Sequence, residues 1–199
     1  AVTQGGATGE IFATGLELLG AGPFTLTQPA NDVDTIAANT TGAISFVDAD
    51  DLIVGTVNTV GITTSDDDVR LQTGTTLAIN QAVALGAGDF TIQSAGAVTQ
   101  AAAITAGGLE LLGAGPFTLT NAGNDVGTIA ANTTGVISFV DADDLIVGTV
   151  TGDGTVGITT TGNNVTLQTG TTLAINQAVN LAAGNLTLNT GGATTQTAA

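Results

Sequence analysis

The sequence predicts an all-β chain folded as a right-handed parallel β-helix, a β-solenoid of about ten coils. Three observations lead there: long internal repeats, short runs that alternate apolar with polar residues, and turn-forming residues between those runs at even spacing. The hand follows from the strong right-handed preference of parallel crossover connections.

The repeats come first. Gly15 to Thr27 (GLELLGAGPFTLT) returns unchanged at Gly108 to Thr120, and Ile44 to Val57 (ISFVDADDLIVGTV) returns at Ile137 to Val150, both 93 residues on. Leu71 to Val83 (LQTGTTLAINQAV) returns at Leu167 to Val179, 96 residues on, because three residues are added near Thr151 to Thr155. Gln4, Gln100 and Gln196 mark the period of 96. The chain therefore reads as one continuous solenoid over 1–199, with a first repeat over about 4–99 and a second over about 100–196.

Within each repeat the strands follow a period of two. Phe24 to Thr27, Ile44 to Phe46, Val69 to Gln72, Leu77 to Asn80 and Phe90 to Gln93 alternate apolar with polar or small residues. Phe24, Leu26, Phe46, Leu71, Leu77, Ile79 and Ile92, with their copies in the second repeat, are expected to point inward. Thr25, Ser45, Arg70, Gln72, Ala78, Asn80, Thr91 and Gln93 are expected to point outward. Turn residues separate the runs at Ala30 to Asp32, Asn39 to Gly42, Asp48 to Asp51 and Gly86 to Asp89. Strands centred on Leu26, Phe46, Leu71, Ile92 and Leu111 recur about every 20 to 25 residues, the length of one coil holding two or three short strands. Leu16 to Leu19 is too short and too closely flanked by glycine to supply a crossover helix.

Composition agrees with a thin, regular core. Aromatic residues make up 3% of the 199, so the hydrophobic 43% is carried mainly by Ala, Val, Ile and Leu. Richness in Val, Ile and Thr, with few charges, argues against disorder. The formal net charge is −16, with Arg70 the single basic residue and no Lys or His. One cation cannot displace the counterions of a nucleic acid, so that partner class is excluded, and an anionic membrane surface is disfavoured. No run of 18 apolar residues is present, and no membrane insertion is expected. The chain starts at Ala1 and shows no signal peptide, which reads as a processed protein or a piece of a longer one whose export signal lies elsewhere. Cysteine is absent, so no redox compartment can be read.

The residues carry a family resemblance. Gly96 to Gln100 (GAVTQ), Gly108 to Leu112 (GLELL), FTLT followed by Asn31 to Val33 or Asn124 to Val126, and LIVGTV resemble the repeats of giant bacterial surface exoproteins. These are filamentous-haemagglutinin-like and autotransporter-like adhesins, β-strand repeat proteins of which such repeats form the shaft. The resemblance covers the whole chain and implies an extracellular or cell-surface location, a non-catalytic structural role and a right-handed helix. The expected partners are the chain itself, through head-to-tail stacking of solenoid ends into filaments, and host or cell-surface ligands. The family's secretion-domain signature is missing from these residues.

The residue types present limit the chemistry open to the chain. Without His, Cys or Lys, neither a nucleophilic triad nor a tetrahedral zinc site can be assembled. A uronate lyase needs basic groups, and Arg70 becomes Thr166 in the second copy. Paired carboxylates suffice for inverting glycoside hydrolysis, which leaves Asp50 with Asp51 or Asp67 with Asp68 as candidates for a carbohydrate-active alternative. Trp and Tyr for sugar stacking are absent, however, and the Phe residues fall on inward positions. Asp48, Asp50 and Asp51 stand about one coil before Asp66, Asp67 and Asp68, a spacing that would suit weak calcium binding in a calcium-stabilised surface-layer element. The second copy keeps Asp141, Asp143 and Asp144 but has Gly162, Asn163 and Asn164 for the second triplet. The favoured reading is that these residues cap turns. An ice-binding face would need Thr pairs in register on successive coils, and the outward positions are mixed. Asn39 to Thr41 and Asn132 to Thr134 match a glycosylation sequon but are read as turns. No catalytic, cofactor or metal residue is therefore assigned, and the chain is expected not to be an enzyme.

Overall fold

The computed structural model describes residues 1–6 and 8–197, and among them it contains 23 strands and no helix. Every paired strand runs parallel to its neighbours, and all of them join one hydrogen-bonded network. The result is a β-solenoid of about nine turns, consistent with the right-handed β-helix expected. The sequence spacing suggests ten coils. Nine are found because two coils are lengthened by excursions at Gly55 to Gly61 and Gly148 to Gly157, each closed by an antiparallel bridge, Thr56 with Val60 and Thr149 with Val156.

The stacking register matches the alternation. Leu26 pairs with Phe46, Phe46 with Leu71, Leu71 with Ile92, and Ile92 with Leu111. A second column runs through Leu52, Leu77, Val98, Phe117, Ile137, Val165 and Leu186, and a third through Ile62, Val83 and Ile104. Like side chains thus lie over like, so that each coil buries its apolar face on the coils above and below. Phe24, Leu26, Phe46, Leu71, Leu77, Ile79 and Ile92 are all buried, as are Phe117, Leu119, Phe139, Leu167, Leu173 and Ile175 in the second repeat. Leu188 departs from the expected pattern at 36% exposed. Its strand, Leu186–Thr190, pairs with Val165–Thr169 and has no described strand on its other side.

The 93-residue repeat does not match a whole number of turns. From Phe24 the column climbs through Ile44, Val69 and Phe90 to Leu109, which is four turns. The copy of Phe24 is Phe117, which lies one column further round, over Val98. Each repeat therefore makes about four and one-third turns, not the five that ten coils would require. The identical segments Gly15 to Gly20 and Gly108 to Gly113 accordingly lie on different faces of the helix.

Leu16 to Leu19, too short for a crossover helix, lies within the strand Phe12–Gly20. One local expectation changes: Asn39 and Asn132 lie within the strands Asp32–Thr40 and Asp125–Thr133 instead of in turns. The turn begins only at Thr41, where the chain leaves its parallel neighbour.

Candidate functional site

Polar side chains cluster in two kinds of place, the corners between columns and the outer face beside the excursions. At one corner Asn31, fully buried, donates from Nδ2 to the Leu26 and Val47 carbonyls at 3.2 and 3.0 Å. Its Oδ1 accepts from the Ile11 amide at 2.9 Å and from Gln4 Nε2 at 2.6 Å. Asn124 repeats this in the second copy, with the Val140 carbonyl, the Ile104 amide and Gln100. Each amide ties three successive coils, which satisfies carbonyls that a turning chain would leave unpaired. From sequence Asn31 reads as an ordinary turn residue. The signal for its role is the recurrence of Gln, at the same phase of the repeat, before each Asn-Asp-Val.

Asp48 completes the same corner. Its Oδ2 accepts from the Val33 amide at 2.9 Å and its Oδ1 from the Asp50 amide at 3.1 Å. Asp141 holds Val126 and Asp143 in the same way. Burial pushes Asp48 up to about 6 and Asp141 up to about 7, because desolvation outweighs the two amide bonds. Asp51 instead accepts from Thr75 and Thr76, and Asp144 from Thr171 and Thr172, bonds that hold both carboxyls below the usual range.

The two acidic triplets are not brought together. Asp48 pairs in register with Thr73, and the corner of Asp48 to Asp51 is followed one coil on by Thr73 to Thr76. Asp66 and Asp68 cap a different turn, accepting from the amides of Ala87 and Asp89 at 2.9 Å each. The excursion at Gly55 to Gly61 lengthens that coil and carries Asp66 to Asp68 to another corner, which corrects the expected one-coil alignment. Among the described residues no group of three or more His, Cys, Asp or Glu is placed to hold a metal ion. Asp50 and Asp51 sit at the first corner and Asp67 and Asp68 at the second, on turns that run between strands.

The outer face carries the most elaborate arrangement. Thr25, Ser45, Arg70, Thr91 and Glu110 stack in register on one column, pointing outward. The excursion Gly148 to Gly157 folds down over the upper part of this stack. Glu110, fully buried beneath it, accepts from Thr91 Oγ1 at 2.8 Å, from the Asp153 amide at 2.8 Å and from the Thr155 amide at 3.1 Å. Burial opposes ionisation, but these bonds outweigh it and keep the carboxyl below its ordinary range. Arg70 reaches the same excursion through Asp153 at 3.4 Å, and it also donates to Gln72 and Gln93. Thr91 points outward as expected, yet is covered by the excursion and is 2% exposed.

Two glycines make the close approach possible. A Cβ at Gly108 would lie 2.9 Å from Val150, and one at Gly152 would lie 2.2 Å from Thr91 Oγ1. The first copy is simpler: Glu17 accepts from Thr59 N at 2.6 Å and Asn58 Nδ2 at 3.0 Å, and Val57 lies against Gly15. The conserved spelling of GLELLG and LIVGTV within this chain is thus one contact seen from both sides: the glutamate of the first block is gripped by the excursion after the second.

Beside the excursion lies a shallow pocket of about 200 Å³, lined by Pro23, Phe24, Ile44, Arg70, Thr91 and Gly152 among others. Its one carboxylate, Asp68, accepts from the Asp89 amide, and the guanidinium on its rim is engaged by Gln72, Gln93 and Asp153. No buried polar side-chain atom among the described residues lacks a hydrogen-bond partner.

The fold and these sites define a β-solenoid repeat protein. Residues 66–134 match a family described as repeats of unknown function (DUF5649), and the matched segment straddles the junction between the two repeats. No curated protein and no solved structure matches the chain.

Proposed function

We propose that this chain is a non-catalytic structural shaft, or fibre subunit, of a bacterial surface adhesin that works outside the cell. The observation that carries the reading is the apolar register, which runs unbroken from Phe24 to Leu111 on one column and from Leu52 to Leu186 on the next. Such a column is stiff, because bending it would stretch many inter-coil hydrogen bonds on one side at once. The conspicuous polar groups, Asn31, Asp48, Glu110 and Arg70, are spent on holding coils and excursions together. The resemblance of GLELL, FTLT and LIVGTV to adhesin shafts supports the extracellular location, and the acidic surface suits solubility there.

Two measurements test this. Antibodies raised against the chain should label intact, unpermeabilised cells of the source organism, and protease treatment of those cells should remove the signal. Chains engineered with extra repeats should lengthen by about 21 Å per repeat in electron micrographs, from four and one-third turns at about 4.8 Å each. Labelling seen only after permeabilisation would defeat the proposal.

A further inference from the structure

We infer that Asn39 and Asn132 are modification sites, at which the side-chain amide carries an N-linked sugar on the lateral face of the solenoid.

Both asparagines open an Asn-Thr-Thr sequence that matches the acceptor sequon. They lie in paired strands and not in turns, Asn39 between Leu19 and Thr63, and Asn132 between Leu112 and Thr159. With a coil on either side, each owes its exposure to the lateral face. A strand sends alternate side chains to opposite faces, so the middle threonine of each sequon turns inward. Thr40 and Thr133 are buried, and their hydroxyls donate to the Gly20 and Gly113 carbonyls at 2.6 and 2.8 Å. The asparagine and the threonine two residues on, Thr41 or Thr134, are exposed. Among the described residues, neither of these asparagine side chains and neither outer hydroxyl has a hydrogen-bond partner.

Other matches to the sequon have a structural explanation that these two lack. Asn164 and Asn185 stack at a turn, where Oδ1 of the first accepts from the amide of the second at 2.8 Å. In the first repeat Asp68 caps the amide of Asp89 in the same way, so asparagine there stands in for an aspartate cap. No cap or corner accounts for Asn39 and Asn132.

The surroundings suit a sugar. Each excursion rejoins its coil beside the sequon, the Gly61 carbonyl accepting from the Ala38 amide at 2.8 Å and the Gly157 carbonyl from the Ala131 amide at 2.9 Å. The preceding valines, Val60 and Val156, are left 58% and 55% exposed. Asn132, Thr155, Val156 and Thr159, among others, line an open recess of about 360 Å³. A pyranose joins an apolar C–H face to a rim of hydroxyls, which matches a valine flanked by threonines. In the transfer the amide nitrogen attacks the anomeric carbon of a sugar diphosphate donor. The C–N bond forms, the bond from that carbon to the diphosphate oxygen breaks, and the amide proton passes to a base on the transferase.

Peptide mass spectrometry of the chain purified from its source organism tests this. Cleavage before aspartate releases residues 34–47 and 125–140, which contain Asn39 and Asn132 as their single asparagines. Both peptides should show the added mass of one or more sugar residues, and fragmentation should place it on the asparagine. Asn39→Gln with Asn132→Gln, expressed in the same organism, should lose both mass shifts and keep the β signal of the parent, because neither side chain holds the fold. Thr41→Val with Thr134→Val should lose the shifts while both asparagines remain. Unmodified peptides from the natural source overturn the proposal, as does sugar found on threonine or serine in place of asparagine, or asparagine-linked sugar that persists in the Thr41→Val and Thr134→Val chain. The shaft reading is judged separately, by the cell labelling and the length of the added repeats.

Discussion

Leu26 and Thr25 are neighbours in sequence and face opposite environments. Leu26 is 4% exposed and stacks on Phe46, whereas Thr25 points out over Ser45. Aspartate at 26 would enter an apolar column that holds no partner for it. We expect Leu26→Asp to destabilise the chain by about 3 kcal/mol or more, a loss of roughly 6 °C or more in Tm for a chain this long. Thr25→Asp should stay within about 0.5 kcal/mol of the parent. Thermal melts of the two variants check the assignment of faces, and equal midpoints would contradict it. The acidic corners give a second expectation at this scale. Because Asp48, Asp51, Asp66 and Asp68 each accept from backbone amides or hydroxyls of a neighbouring coil, calcium should raise the midpoint by a few degrees at most. Loss of the β signal in a chelator would show that these turns depend on metal.

Among the elements, the excursions behave as clips laid across coils already formed. Glu110 receives two amides of the Gly148 to Gly157 excursion and the hydroxyl of Thr91, so three donors converge on one buried carboxylate. Glu110→Ala should free the clip without unfolding the solenoid. Amide exchange at Asp153 and Thr155 should quicken by about ten-fold or more, from the loss of about 1 to 3 kcal/mol of charge-assisted bonding, while amides of the Phe117–Leu119 strand stay protected. Exchange that rises equally in both places would mean that the carboxylate supports the core and not the clip. The one-face offset between repeats has its own consequence for these elements. Since each repeat makes four and one-third turns, the two clips lie on different faces, and a shaft of such repeats displays them in a spiral.

For the whole molecule, pH should act in opposite senses on two groups of carboxylates. Asp48 and Asp141 are raised in the folded state to about 6 and about 7, so between their unfolded value near 4 and pH 7 the folded chain binds more protons. Their contribution to stability is present at low pH and is lost as pH rises through that window. Glu17, Asp51, Glu110 and Asp144 are lowered, so their contribution is present above the ordinary carboxylate range and is lost as pH falls below it. Repulsion within a chain of formal charge −16 favours the acid side as well. Stability should therefore peak in mildly acid solution, with Tm at pH 5 above that at pH 8 by at least about 2 °C, or about 1 kcal/mol. Replacing Asp48 and Asp141 together by Asn should flatten the slope between pH 5 and 8. A slope unchanged by that pair would assign it to net charge alone.

The sequence by itself determined the class of fold, the inward and outward faces of the strands and the repeat. The reason is that period-two alternation and turn chemistry are local, and copying a segment copies both. Leu26, Phe46, Leu71, Ile92 and Leu111 were legible as one column because their spacing of about 20 to 25 residues is the length of a coil. Only the tertiary structure decided how copies lie with respect to one another. Whether a repeat closes a whole number of turns depends on the summed lengths of its coils, and the excursions at Gly55 and Gly148 add residues that do not climb the helix. For the same reason Asp48 to Asp51 meets Thr73 to Thr76 and not Asp66 to Asp68. Asn31 and Glu110 stayed hidden because all but one of their partners lie 16 to 45 residues away, on coils that come together only after the chain has turned.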